Sequence, residues 1–326
     1  MIIKKRTKPI KLFMFEALFR RLDLEHPKRQ IASEVYAKSM AGYRGERSLD
    51  FPLSFLSEQK YHIFHDLRLY DGSHYFQIDC LLLSSNFIVI IEVKNITGTP
   101  IFDSTFNQLI RINDDKDERA FSSPIVQVNR HVDQLRKWLA LHKYPSIPIE
   151  PLVIIGNDKS VIKSTENEKS QTLSQFVLPY YVLPDKIKEL EVKYITHLLT
   201  KESHHNLSVQ LQLQHHPLKF NILQHFHIPE SDLIKGIQCT NCKFYSMHRS
   251  FGTWACSKCM TISKDAHLQA LHDYYLLIGN TINNRQMNDF LHINSPHITK
   301  HLLNALCSTT IGTNKGRKYV LNFDFE

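Results

Sequence analysis

The chain has 326 residues, 42% hydrophobic and 22% charged, with only 10 glycines and 13 prolines. That is room for two or three domains of about 100–200 residues each, and it excludes a collagen-like repeat, a disulfide-stapled miniprotein and a wholly disordered tail. The net charge of +8 points to an acidic partner.

The charge is unevenly spread. Residues 1–45 carry 11 Lys and Arg against 4 Asp and Glu, residues 46–200 carry 17 against 20, and residues 201–326 carry 12 against 8. The longest apolar run, Phe87–Val93, is interrupted at Glu92 and falls far short of the roughly 20 residues that cross a bilayer, so no membrane span is expected. Met1–Arg6 is basic, but Phe13–Phe19 contains Glu16, leads into Arg20-Arg21 and is followed by no small-residue cleavage site. The expected location is cytoplasmic.

Taken in chain order, residues 1–40 form a basic arm. Its Leu12, Phe13, Phe15, Leu18, Phe19 and Leu22 have the spacing of a helix docked on something larger. The Lys4–Lys11 charges suit a polyanion or a merely solvated arm equally. A second helix is predicted from Ala41 to about Gln59, with Leu49, Leu53 and Leu56 in register and Pro52 early in it. Three strands follow, Tyr61–Leu69, Tyr75–Leu83 and Phe87–Lys94, joined by Asp71-Gly72 and Ser84-Ser85-Asn86 as an antiparallel meander. Beyond the polar stretch Asn113–Glu118, Pro124 opens a helix over Ile125–Leu141 striped by Ile125, Val128, Val132, Leu135 and Leu139. A buried strand, Pro151–Gly156, and another around Phe176–Leu183 complete an α/β domain over residues 41–198, with a mixed central sheet flanked by helices. Residues 199–234, with His204-His205, His215-His216, His225 and His227, read as a linker or a peripheral element. Residues 235–262 carry a cysteine cluster, and residues 263–326 carry short helices and a hairpin.

The most informative pattern lies on the second and third strands. A hairpin about Ser85-Asn86 places Asp79 opposite Glu92 and Gln77 opposite Lys94, with their side chains on one face and Ile78, Cys80, Val89, Ile91 and Val93 on the other. Two facing carboxylates among apolar strands repel and lose solvation unless a cation neutralises them. A hard divalent ion such as Mg²⁺ or Mn²⁺ does so, and Lys94 beside it would orient a water or stabilise charge growing on a phosphoryl group. The same residues also make an ordinary cross-strand salt-bridge network at a sheet edge.

Gly42-x-x-Gly45-Glu46, Gln77-Ile78-Asp79, Ile91-Glu92-Val93-Lys94-Asn95 with Gly98 after it, and Pro124-Ile125-x-Gln127 leading to His131 and Leu135 occur here in that order. Together they resemble the NERD (nuclease-related) domain of the PD-(D/E)xK nuclease superfamily, over about residues 40–155. The resemblance implies a restriction-endonuclease-like core with Asp79 and Glu92 as metal ligands and Lys94 as the catalytic lysine. It also implies Glu46 as the accessory acid completing the Mg²⁺ site and Gln127 as an assisting side chain. Where the family often has an aromatic residue after the Asn, this chain has Ile96. Gln77 joins the candidate catalytic set from the register argument alone.

Cys239-x-x-Cys242 and Cys256-x-x-Cys259, 13 residues apart, have the spacing of a zinc ribbon with a structural Zn²⁺. Two disulfides or two redox pairs are the alternatives. An intracellular location disfavours the first, and the lack of a strand-CxxC-helix context disfavours the second. Lys243, Arg249 and Lys258 are candidate phosphate contacts, while Cys80 and Cys307 read as core thiols. Asn284–Leu291 and Ser295–Leu306, followed by a hairpin over Ser308–Phe323, loosely resemble a winged helix-turn-helix. There Thr299 and Lys300 would face a groove, and Lys315, Arg317 and Lys318 on the wing would face phosphates. A small helical packing module fits the same pattern. Twelve of the 19 histidines follow residue 200. His204-His205-Asn206 invites an HNH-nuclease reading but lacks the strand-helix frame of one.

The expectation is therefore a metal-dependent nuclease that hydrolyses phosphodiester bonds of DNA in processing or repair. Its rivals are a non-catalytic nucleic-acid-binding protein on a nuclease-like scaffold and a protein-interaction adaptor.

Overall fold

The computed structural model describes residues 1–113, 115–165, 171 and 173–325. Asp114, in the predicted polar stretch, and the side chain of Lys315 lie outside the described residues. The chain divides into two compact units, residues 1–7 with 40–218 and residues 8–39 with 219–326. After strand β1 (Ile2–Lys4) come helices α1 (Ile10–Arg21) and α2 (Arg29–Arg47), the second passing from one unit into the other. The predicted helix from residue 41 to about 59 thus begins earlier and stops at Arg47, ahead of the short α3 (Asp50–Leu53) that carries Pro52. Among the described residues, no helix is long and apolar enough to cross a membrane.

The first unit is built on a six-stranded sheet. The meander β2 (His62–Tyr70), β3 (Tyr75–Leu83) and β4 (Ile88–Lys94) forms as expected, and β1 lies parallel to β2 at one edge. On the other side β8 (Ile149–Ile155) and β10 (Val177–Pro179) run parallel to β4. Helix α4 (Pro124–Leu141) makes the crossover from β4 to β8, and its Val128, Val132, Leu135, Trp138 and Leu139 cover one face of the sheet. Leu49, Leu53 and helix α5 (Leu183–Lys193), through Ile187 and Leu190, cover the other. A lobe of β5 (Thr99–Asp103), β6 (Gln108–Ile112) and β7 (Glu118–Ser122) stands between β4 and α4 in the chain, and β9 (Lys163–Ser164), after β8, pairs parallel to β5.

The register of β3 on β4 is the predicted one, with Cys80 opposite Ile91 and Leu81 opposite Ile90. The face assignment needs one correction. Ile78 sits with Phe76, Leu81 and Leu83 under α4, whereas Cys80 and Leu82 belong to the opposite face. The alternation slips by one residue because Asp66, between the Leu67–Ile78 and His65–Cys80 pairs, takes a left-handed conformation (φ 52°). Such a kink re-aims side chains where a ladder ends. Here the β3–β4 ladder stops, and the Asp79 carboxylate accepts a hydrogen bond from the Val93 N–H at 2.8 Å.

Residues 199–234 are not a free linker. Helix α6 (Lys201–Leu213) buries Leu207 and Leu211 in the first unit's core, and α7 (Ile222–Phe226) buries Ile222, Leu223 and Phe226 in the second. The apolar stripe of α6 is narrow and flanked by His and Gln, which hides its period in the sequence.

The second unit joins α1 to the C-terminal segment. Arg21 is fully buried, donating to Asp273 at 2.8 Å and to the Ile234 and Gly236 carbonyls. Strands β11 (Met247–Ser250), β12 (Thr253–Cys256) and β13 (Ile262–Ser263) carry part of the cysteine cluster. Helices α8 (Ala266–Leu277), α9 (Asn284–Leu291) and α10 (Pro296–Leu306) follow. A small antiparallel sheet of β14 (Thr281–Ile282), β16 (Lys318–Val320) and β15 (Thr310–Ile311) completes the unit.

Candidate active site and a four-cysteine centre

Parallel strands β4 and β8 end together, with Lys94 opposite Ile155 and the Gly156 N–H donating to the Lys94 carbonyl. The space beyond the carboxyl ends of parallel strands is where α/β sheets usually hold ligands. Glu92 is almost wholly buried there. Lys94 Nζ donates to Glu92 Oε1 at 2.7 Å and to Gln127 Oε1 at 3.1 Å, so α4 and β4 meet through one ammonium group. His131, one turn after Gln127 on α4, brings its Nδ1 to 3.8 Å from Glu92 Oε2. Neither of those two buried atoms has a hydrogen-bond partner among the described residues.

Glu46 reaches the site from the last turn of α2. That helix can approach because Gly45 lies on Asn95, where an added Cβ would come within 2.4 Å of the Asn95 Cβ. Asn95 in turn donates its amide to the Ala41 carbonyl at 2.7 Å. The Glu46 carboxylate receives Arg6 at 3.0 Å, and the same guanidinium meets Asp50 at 3.2 Å and His65 Nδ1 at 2.7 Å.

The electrostatics are those of crowded acids. Burial, then the Glu92 and Glu46 charges, push the Asp79 carboxyl well above the usual range. Burial also raises Glu46, against the pull of Arg6, and raises Glu92, against the pull of Lys94. Burial lowers His131 to about 4 and His65 to about 3, so both rings are neutral at pH 7. A neutral His65 accepts the Arg6 hydrogen bond.

The structure therefore brings together Asp79, Glu92, Lys94, Gln127 and Glu46. It places Gln77 apart: that residue is opposite Arg68 on β2, exposed, and donates to Asp66 Oδ1 at 2.6 Å. Gln77 cannot face Lys94 because the β3–β4 ladder has already ended. Sequence reading missed Arg6 and His65 and left His131 without a role. Only His131 carried a signal, its i, i+4 spacing from Gln127 on a predicted helix.

Residues 41–156 match the family model of the nuclease-related domain, NERD. The match spans α2's last turns, the meander, the β5–β7 lobe, α4 and β8, and so contains every acidic and basic group of this site except Arg6. The NERD segment supports a nuclease-related function. No curated protein and no solved structure matches the chain.

In the second unit, Cys239, Cys242, Cys256 and Cys259 place their sulfurs within 4.8 Å of one another. The Cys239–Cys259 and Cys242–Cys256 separations are 3.6 Å each, near the ~3.8 Å edge of a tetrahedron with metal–sulfur bonds of ~2.3 Å. Such separations are far longer than a disulfide bond. Thr261 donates to Cys259 and Ser246 to Cys256, each at 3.1 Å, and these hydroxyls lower both thiols, Cys259 to about 5. Among the described residues this is the group of three or more His, Cys, Asp or Glu close enough to share an ion; the acids of the NERD segment are more widely set.

The candidate nucleic-acid contacts of this unit divide. Lys243, Lys258, Lys300, Arg317 and Lys318 are exposed, and Lys243 also donates to the Thr240 carbonyl. Arg249 lies over the Trp254 ring at 5.0 Å. Thr299 is wholly buried with its hydroxyl bonded to Asn288, which removes it from any groove-facing surface.

Proposed function

We propose that the NERD segment is a divalent-metal-dependent nuclease that hydrolyses phosphodiester bonds of DNA. The observation that carries this is Glu92 Oε2: a buried carboxylate oxygen with no hydrogen-bond partner among the described residues, beside a second carboxyl whose charge it opposes. All-oxygen donors of this kind suit Mg²⁺ or Mn²⁺. Asp79 and Glu92 would hold the ion, with Glu46 beside them once it leaves Arg6, and the ion would supply Lewis-acid polarisation of the phosphate.

The side chains do the rest. Lys94 spends two of its three N–H donors on Glu92 and Gln127, leaving the third for a phosphoryl oxygen as negative charge grows there. Gln127 fixes the ammonium in place, and Arg6 sets the position of Glu46. The four-cysteine centre would hold a structural Zn²⁺, making a ribbon. Helices α9 and α10 with the β14–β16–β15 sheet would serve as a winged-helix-like module presenting Lys300, Arg317 and Lys318 to phosphates.

A second reading has support of its own. The Arg6–Glu46 and Lys94–Glu92 pairs neutralise two acids without any ion, as a non-catalytic DNA-binding scaffold would. Cleavage of plasmid and single-stranded DNA in Mg²⁺ or Mn²⁺ decides between them. Wild type is expected to cut, and Asp79→Ala, Glu92→Ala and Lys94→Ala to lose activity by at least about 10²-fold. Cleavage unchanged in these variants, or none by wild type, overturns the proposal.

A further inference from the structure

The β5–β6–β7 lobe leaves the sheet directly after Lys94 and returns into α4 just before Gln127, the two residues that share a hydrogen bond in the site. Its register sets Arg111 of β6 directly opposite Arg119 of β7. Facing residues on an antiparallel ladder have Cβ atoms about 4.5–5.5 Å apart, and like charges there are destabilising. Neither arginine has an ion pair or a hydrogen bond among the described residues, and Arg111 Nε is a buried donor without a partner. The Arg111 guanidinium lies over the Phe121 ring at 5.9 Å.

The pleat also separates the charges. Pro100, Phe102, Leu109, Arg111, Arg119 and Phe121 share one face by alternation and pairing. The acids of these strands, Asp103 and Glu118, fall on the other face, where Asp103 is occupied by the Thr105 and Phe106 N–H groups and the Gln108 amide. Asp117, in the turn between β6 and β7, receives the Asn113 amide. Among the described residues of these strands, that face carries no carboxylate and two opposed guanidinium groups. The row that holds them adjoins Ile112, whose carbonyl lies against Gly98, four residues after Lys94. An anion bridging the pair would turn the repulsion into attraction, and a phosphodiester matches the planar, forked donors of arginine.

We propose that Arg111 and Arg119 form a phosphate clamp that holds the backbone of a polynucleotide as it enters the Lys94 site. Phe121 supports the Arg111 guanidinium from the side. The proposal rests on the phosphodiester reading of that site and assigns the lobe to substrate binding rather than to chemistry.

The test is binding without cleavage: anisotropy of labelled single- and double-stranded oligonucleotides in Ca²⁺, over about 50–200 mM salt, for wild type, Arg111→Gln, Arg119→Gln and the double variant. The double variant is expected to bind about tenfold more weakly, with the slope of log affinity against log salt reduced by about 1.8 on duplex or about 1.4 on single strands. Its melting temperature should stay level or rise, because the opposed charges are gone. An unchanged affinity and slope overturns the clamp while leaving the nuclease reading intact, provided wild type still cuts DNA in Mg²⁺. A loss of affinity that tracks a fall in melting temperature also overturns the clamp. Wild type that binds no polynucleotide overturns both.

Discussion

Gly45→Ala probes how the acidic site is assembled. Gly45 and Gly42 both lie in α2, so alanine at either position should favour the helix by up to about 1 kcal/mol. Their surroundings differ. Nothing lies within 4 Å of a Cβ built on Gly42, whereas one on Gly45 meets the Asn95 Cβ at 2.4 Å and the Asn95 Cα at 3.3 Å. Carbon atoms pack at about 3.5–4.0 Å, so helix and strand must part by roughly 1 Å. Overpacking of this kind costs about 1–3 kcal/mol, which outweighs the helix gain. The displaced residue next in the chain is Glu46, and a 1 Å misplacement in a catalytic constellation lowers rate by about 10²-fold. Thermal denaturation and Mn²⁺-dependent cleavage should therefore show Gly45→Ala less stable and nearly inactive, with Gly42→Ala at least as stable as wild type and fully active. Equal behaviour of the two variants would refute the reasoning, since they differ only in what stands against the helix.

Four further outcomes are expected. Cys256→Ser should abolish metal binding at the four-cysteine centre, read by a colorimetric zinc-release assay, and cost the second unit on the order of several kcal/mol. Arg21→Met leaves buried Asp273 with Arg20 as its remaining cation among the described residues and strips the Ile234 and Gly236 carbonyls of their donor, so chemical denaturation should show about 1–3 kcal/mol lost. His215 accepts the Arg68 N–H at Nδ1, and burial, then Lys4, His216 and Arg68, lower it to about 4. The unfolded state takes that proton near pH 6.5 and the folded state only near 4, so stability is full above about 6.5 and falls as pH drops toward 4. A ring titration by NMR near 6.5 would contradict this. Lastly, Thr299→Val removes a buried hydroxyl bonded to Asn288 and should lower melting temperature without altering the salt dependence of DNA binding.

The sequence was most legible where structure is local. The tight turn about Ser85-Asn86, closed by the Ser84 N–H on the Phe87 carbonyl, determines the register that brings Asp79 and Glu92 together, and Pro124 marks the helix that supplies Gln127. What escaped was non-local. Arg6 enters the site because β1 pairs with β2 across roughly 60 residues of chain, a pairing no periodicity announces. The slip at Asp66 depends on a single left-handed residue with no glycine to flag it.

The basic N-terminal segment shows why charge counting stops short of a surface. Arg21 is buried on Asp273, and Arg29 donates to the Leu22 and Phe19 carbonyls. Lys8 is paired with Glu16, and Lys11 lies over Phe220. These four cations are engaged within the second unit, whereas Lys5, Lys28, Lys38 and Arg44 of the same segment stand exposed. Thr299 was misplaced for a related reason: within a short amphipathic helix, one residue's difference in phase moves a hydroxyl from groove to core.

The central claim is that Asp79 and Glu92 hold a divalent cation beside Lys94. Titration of the zinc-loaded protein with Mn²⁺, followed by electron paramagnetic resonance, measures this without reference to any substrate. Wild type should bind Mn²⁺, and both Asp79→Asn and Glu92→Gln should lose that binding while Cys256→Ser, if folded, retains it. No Mn²⁺ binding by wild type, or binding undiminished in the two carboxylate variants, would contradict the account.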